Sequence, residues 1–61
     1  MAAYFPPGYL DPDMEDEVLA WIASLPIQPE RKKQLLVMWC QLVGVVLTED
    51  MIRAIGAEDV Y

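Results

Sequence analysis

The chain contains no histidine and only one cysteine, Cys40, among its 61 residues. One cysteine excludes a disulfide within the chain, and a lone thiol among scattered acids gives no zinc-ligand spacing. Ser24, Thr48 and Cys40 also lack a histidine that would activate them as nucleophiles. We therefore expect no catalytic residue, no metal ligand and no cofactor, and a protein that is not an enzyme.

Basic residues are scarce, and they are clustered. Four Lys and Arg residues stand against ten acids, for a net charge of −6. Residues 1–29 carry five acids and no base, whereas Arg31, Lys32 and Lys33 are consecutive. Because an acidic chain repels phosphate backbones and anionic headgroups, we expect no direct nucleic-acid binding and no membrane binding.

The sequence also lacks the pattern of a targeting or membrane-spanning segment. The first residues lack the basic and apolar regions of a secretory signal, and the most apolar run, 35–47, is shorter than the roughly 18 residues expected of a membrane span. An unpaired cysteine suits a reducing compartment. The expected location is the cytoplasm, or the host cytosol if the protein is encoded by a virus.

The run 35–47 is the most informative feature that is present. Eleven of its thirteen residues are apolar, and on a helix they cover a wider arc than the stripe of about 100° that one core needs. A domain this small is marginally stable alone, and association is a usual remedy. The run therefore predicts self-association, with a homodimer as first choice, or binding to another protein.

Capping signals predict three helices. Asp11 and Pro12 suit the start of a helix over 12–24, and Pro29 suits the start of one over 29–46. Gly44 either ends the second helix or lies within it, where it would permit close helix approach. Thr48 and Gly56 are placed to begin and end a third helix over 49–55.

The expected fold is therefore all-α, a small three-helix domain with an extended Pro-rich N-terminal arm, assembled as a helical homodimer. Residues 1–61 form a single domain, with the arm at 1–11 and the helical core at 12–61. The aromatic arm either lies on its own helices or crosses to a neighbouring subunit. Its segment Pro6-Pro7-Gly8-Tyr9 also matches the P-P-x-Y pattern of polyproline ligands of WW domains, a four-residue signal that arises easily by chance.

Two surfaces are candidates for binding. The predicted self-association interface lies on the second helix, with Trp39 as its anchor because tryptophan is enriched at binding hot spots; its residues are Leu35, Met38, Trp39, Leu42 and Val46. The function that follows is a non-enzymatic interaction module, acting as a small adaptor or regulatory subunit. The alternative is an acidic inhibitor or nucleic-acid-mimicking decoy that binds a basic groove of a partner through Asp13, Glu15, Asp16 and Glu17.

Two other interpretations of these segments are weaker. The acids from Asp11 to Glu17 begin like a calcium loop, but Pro12 and the lack of a glycine at the turn do not fit one. The stretch 34–55 loosely resembles a helix-turn-helix, but its last helix would offer Glu49 and Asp50 to DNA, with Arg53 as the only base.

Overall fold

The computed structural model describes residues 5–58, and within this range the fold is helical without strands. Three α-helices follow two short 3₁₀ turns, so the all-α, three-helix prediction is confirmed. The turns are Pro7–Tyr9 and Pro12–Met14, and the helices are α1 (Glu15–Ser24), α2 (Pro29–Val43) and α3 (Glu49–Ala54).

The start of the first helical segment is capped as predicted, but its first turn is 3₁₀. The carboxylate of Asp11 accepts a hydrogen bond from the backbone N–H of Asp13 at 2.9 Å. Pro12 occupies the first position of the turn, where its missing N–H has no cost. The α-helix then begins at Glu15 rather than at residue 12. Its other end is at Ser24, because Leu25 precedes a proline and is held in extended geometry.

The second helix ends at Val43, three residues before the predicted end. Gly44 adopts a left-handed conformation with φ of 79°, which a residue with a Cβ rarely adopts. The N–H groups of Gly44 and Val45 both donate to the carbonyl oxygen of Cys40, at 2.9 and 3.0 Å. These bonds satisfy a terminal carbonyl as in a Schellman end, so Gly44 ends α2 and Val46 lies outside it.

The third helix follows its sequence signals closely. The side-chain oxygen of Thr48 accepts a hydrogen bond from the N–H of Met51 at 3.3 Å. Gly56 has a φ of 77°, and the next N–H, that of Ala57, donates to the carbonyl of Ile52. The predicted cap and the predicted terminating glycine are therefore both confirmed, with the helix ending one residue early.

Helices α1 and α2 form an antiparallel hairpin. The ammonium of Lys32, near the start of α2, donates to the carbonyl oxygen of Ala23, near the end of α1, at 2.7 Å. At the other end of the pair, the charge of Glu15 on α1 acts on Cys40 of α2. A hydrogen bond at one end of the pair and an electrostatic effect at the other are those of two helices with opposite chain directions, as the short link between the helices predicts.

The core lies between the three helices and is closed by the arm. Helix α3 packs against α1, and both 3₁₀ turns, one within the arm and one directly before α1, also contact α1. Within residues 5–58, nine apolar residues are buried: Phe5, Val18, Ile22, Leu36, Trp39, Cys40, Met51, Ile55 and Ala57.

The arm docks on its own helices rather than extending away from them. Phe5 is buried and its ring lies 5.6 Å from that of Trp21, tilted by 59°. Tyr9 meets the same indole edge-on, also at 5.6 Å between centroids. The prediction of a wholly extended arm is wrong for residues 7–9, where Pro7 starts a 3₁₀ turn that brings Tyr9 back to the core. Residues 1–4 of the predicted arm lie outside the described residues.

Candidate functional site

Helix α2 divides its apolar residues between two stripes, as its broad apolar arc predicts. Leu36, Trp39 and Cys40, spaced by three and four residues, are buried in the chain's own core. Leu35, Met38 and Leu42 share a neighbouring stripe, also at spacings of three and four. Leu35 is half-buried, whereas Met38 is 37% and Leu42 62% exposed. The second stripe is therefore apolar surface that the described part of the chain leaves partly exposed.

The structure places Trp39 in the core rather than on the predicted interface. Its side chain is fully buried, and its indole Nε1 donates a hydrogen bond to the carbonyl oxygen of Tyr9. Trp39 lies four residues after Leu35 and three after Leu36, so the helical spacing assigns it to either stripe. The sequence pattern does not reveal this acceptor, because the Tyr9 carbonyl lies in the arm, thirty residues earlier in the chain.

Val46, the last predicted interface residue, is the most exposed of the large apolar residues in the described range. It is 78% exposed and lies in the link after Gly44 rather than on the helix. Four of the five predicted residues, Leu35, Met38, Leu42 and Val46, therefore keep accessible surface, and Trp39 does not.

An open groove of about 680 Å³ adjoins this stripe at the N-terminal half of α2. It lies between the end of α1, the interhelical link and α2, and it includes Leu35 and Met38. The other lining residues are Trp21, Leu25, Ile27, Gln28, Arg31 and Gln34. The predicted hairpin identifies the two helices that form the groove. The width of the groove depends on how these helices pack.

The polar part of the groove is neutral or basic. Among the described lining residues, Arg31 is the only charged one, and Gln28 and Gln34 contribute amides. Lys32, the next residue, is directed to the end of α1, where it binds the carbonyl of Ala23. That carbonyl belongs to the electronegative end of the α1 dipole, so the hairpin itself compensates part of the basic charge that begins α2.

The candidate nucleophiles are each buried or engaged in a local hydrogen bond. Cys40 is buried, and its desolvation, followed by the negative charge of Glu15, raises the pKa of the thiol. A raised pKa keeps the thiol neutral and unreactive. The Ser24 hydroxyl donates to the carbonyl of Trp21 at 2.9 Å, and the Thr48 hydroxyl oxygen caps α3.

The predicted acidic face lies at the start of α1 and in the turn before it. Asp13, Asp16 and Glu17 are exposed, whereas Glu15 is half-buried. Placement of acids in the first helical turn is favoured by the helix dipole. The structure therefore brings the four residues to one end of the helix, where three of them face solvent.

The P-P-x-Y segment is only partly available to a partner. Pro6, Pro7 and Gly8 are exposed, but the ring of Tyr9 is half-buried against Trp21. A polyproline ligand needs an extended conformation, whereas Pro7–Tyr9 forms a 3₁₀ turn. Both observations weigh against binding of this segment to a WW-type groove.

Among residues 5–58, no group of three or more His, Cys, Asp or Glu side chains is arranged to hold a metal ion. Within the same range, no helix combines the length and the hydropathy needed to cross a bilayer. Comparisons of the chain with protein-family models, curated proteins and solved structures give no significant match.

Proposed function

We propose that this protein is a non-enzymatic protein–protein interaction module that self-associates through α2 and acts as a small adaptor or regulatory subunit. The observation that carries the proposal is the stripe formed by Leu35, Met38 and Leu42, which remains accessible after Leu36, Trp39 and Cys40 have filled the core. Apolar residues at helical spacing on a surface are the usual means by which helices recognise one another.

The extent of the surface supports the same proposal. Single exposed apolar residues are normal on any protein, but here the stripe continues into a groove lined by Trp21, Leu25 and Ile27. Contiguous apolar surface with a polar rim is characteristic of interaction sites. A second molecule that covers this surface also buries apolar area that the one small core of a 61-residue chain cannot bury.

The non-enzymatic part of the proposal is supported by the environment of each candidate nucleophile. Cys40 is buried with a raised pKa, and Thr48 is engaged in a helix cap. The sequence holds no histidine to act as a general base.

Sedimentation equilibrium over a range of micromolar concentrations tests self-association. We expect the mass of a dimer for the wild type and of a monomer for Leu42→Lys, because the charge is placed in the exposed stripe. Gln41→Lys is the matched control, since Gln41 is exposed on the same helix turn but outside the stripe. A wild-type monomer at every concentration would contradict the proposal.

The acidic decoy is the second candidate, favoured by the exposure of Asp13, Asp16 and Glu17 at one end of α1. Charge reversal of Asp13 and Glu17 together is expected to abolish capture of a basic partner from the native host, while the dimer mass is unchanged. Binding by this surface must also weaken as salt is added. Partner capture that is insensitive to both salt and charge reversal would exclude this candidate.

A further inference from the structure

We infer that the partner of the α2 stripe is a second copy of this chain in antiparallel orientation, with the exposed Leu42 of each copy seated in the groove of the other beside Leu35. The inference rests on the proposed function and specifies its partner and register. Its basis is the position of two features on the same helix: the groove lies along the N-terminal half of α2, and Leu42, the most exposed large apolar side chain on a described helix, lies at the C-terminal end.

The separation of these features defines the register. A two-fold axis perpendicular to α2 exchanges the two ends of the helix, so that the projecting end of each copy meets the recessed end of the other. Placing the axis beside Met38 brings Leu35 of one copy level with Leu42 of the second, because the two leucines lie about equally far from it along the helix. The half-exposed Met38 side chains then meet each other at the axis.

Charge complementarity also favours the antiparallel orientation. The start of α2 carries Arg31 at the groove, and the link after α2 leads to the exposed acid Glu49, beside Asp50, whose carboxylate is paired with Arg53 at 2.6 Å. In the antiparallel register, Arg31 of one copy lies just past the C-terminal end of α2 in the other copy, where the chain continues through the link towards Glu49. A parallel pair would instead place the basic starts of the two α2 helices side by side, where like charges repel.

Cysteine cross-linking distinguishes the registers. The variants Leu35→Cys and Leu42→Cys are prepared separately in a Cys40→Ala background, and circular dichroism confirms that each retains its helix content. Under mild oxidation, a mixture of the two is expected to form the mixed disulfide, with at least a tenfold excess over the Leu35→Cys homodimer. In the proposed register, the two copies of residue 35 are separated along the helix by about 10 Å, which exceeds the roughly 7 Å that a disulfide spans between Cα atoms.

Three outcomes oppose the inference, and they separate it from the proposed function. A dimeric mass with preferential linkage of residue 35 to itself would overturn the antiparallel register and leave self-association intact. A dimer in which neither pair cross-links would overturn the placement of Leu42 in the groove. If the Cys40→Ala variant is a monomer, its mass is compared with that of the wild type. A monomeric mass for both proteins at all concentrations would overturn self-association itself.

Discussion

The indole Nε1 of Trp39 donates a hydrogen bond to the carbonyl oxygen of Tyr9, with the two atoms 2.5 Å apart. This bond satisfies the one polar group of a fully buried side chain and connects α2 to the arm across thirty positions of sequence. A buried indole N–H without an acceptor would be costly. The bond therefore explains how tryptophan can occupy the centre of so small a core.

Replacing Trp39 with Phe should destabilise the fold without changing the charge of the core. The substitution removes the hydrogen bond and leaves the Tyr9 carbonyl without its donor, and the smaller ring leaves a void. We expect the lost hydrogen bond and the void together to lower the free energy of unfolding, measured with urea, by about 2–4 kcal/mol. Tyr9→Phe is the control, because it keeps the carbonyl acceptor, and it should cost less than half as much. Equal losses for the two variants would contradict the role of this bond.

Replacing Phe5 with Ala should release the arm from its own helices. Phe5 is buried against Trp21, so we expect a loss of about 3 kcal/mol in the free energy of unfolding. Trp21 also lines the groove, and its fluorescence should shift towards longer wavelength as water reaches the ring. Pro6→Ala provides a control at an exposed neighbour. An unchanged stability for Phe5→Ala would mean that the arm does not dock as described.

Replacing Lys32 with Gln should weaken the contact between the two helices of the hairpin. The Lys32 ammonium is 2.7 Å from the Ala23 carbonyl and partly buried, and loss of such a charge-assisted hydrogen bond should cost about 1 kcal/mol in urea unfolding. Arg31→Gln removes the same charge from the neighbouring exposed position. Under dilute conditions it should change the stability by less than about 0.5 kcal/mol. If the two variants lost the same stability, net charge rather than the Ala23 contact would be responsible.

Replacing Gly44 with Ala should cost about 1 kcal/mol, because Gly44 has a φ of 79° that alanine adopts only with strain. Apart from the adjacent residues, no atom of the described chain lies within 4 Å of a Cβ added at Gly44 or at Gly8. Gly8 does not have a positive φ, so Gly8→Ala is a control for added bulk alone and should be neutral. Thermal unfolding of both variants tests this difference, and a neutral Gly44→Ala would contradict the left-handed end of α2.

Because the thiol of Cys40 is buried, we expect the folded protein to lose stability at alkaline pH. Burial raises the pKa of Cys40 above its ordinary value of 9.0, so the folded state retains a proton that the unfolded state releases. Stability from the neutral thiol is then complete below about pH 9 and declines as the pH rises towards the raised pKa. The decline between pH 8.5 and 10 should be smaller in Cys40→Ala, measured under reducing conditions. Identical pH slopes for both proteins would contradict the assignment.

Local sequence determined most of the helix ends in this protein. Asp11 and Thr48 cap through contacts with residues two or three positions away, and Gly56 ends α3 through its own backbone freedom. Gly44 left two options in sequence, because a glycine after an apolar run either caps a helix or packs within it. The choice depends on whether Val45 enters the helix or turns back towards Cys40, as it does here.

The sequence by itself also determined that α2 carries more apolar surface than one core needs, since that follows from spacing and composition alone. Only the tertiary structure decided which residues supply the excess. Trp39 belongs to both stripes by spacing, and the arm, by presenting the Tyr9 carbonyl, assigns it to the core. Leu42 remains outside the core because no described element covers that side of α2. Such assignments depend on contacts between distant segments, whose free energies are set by packing and not by local pattern.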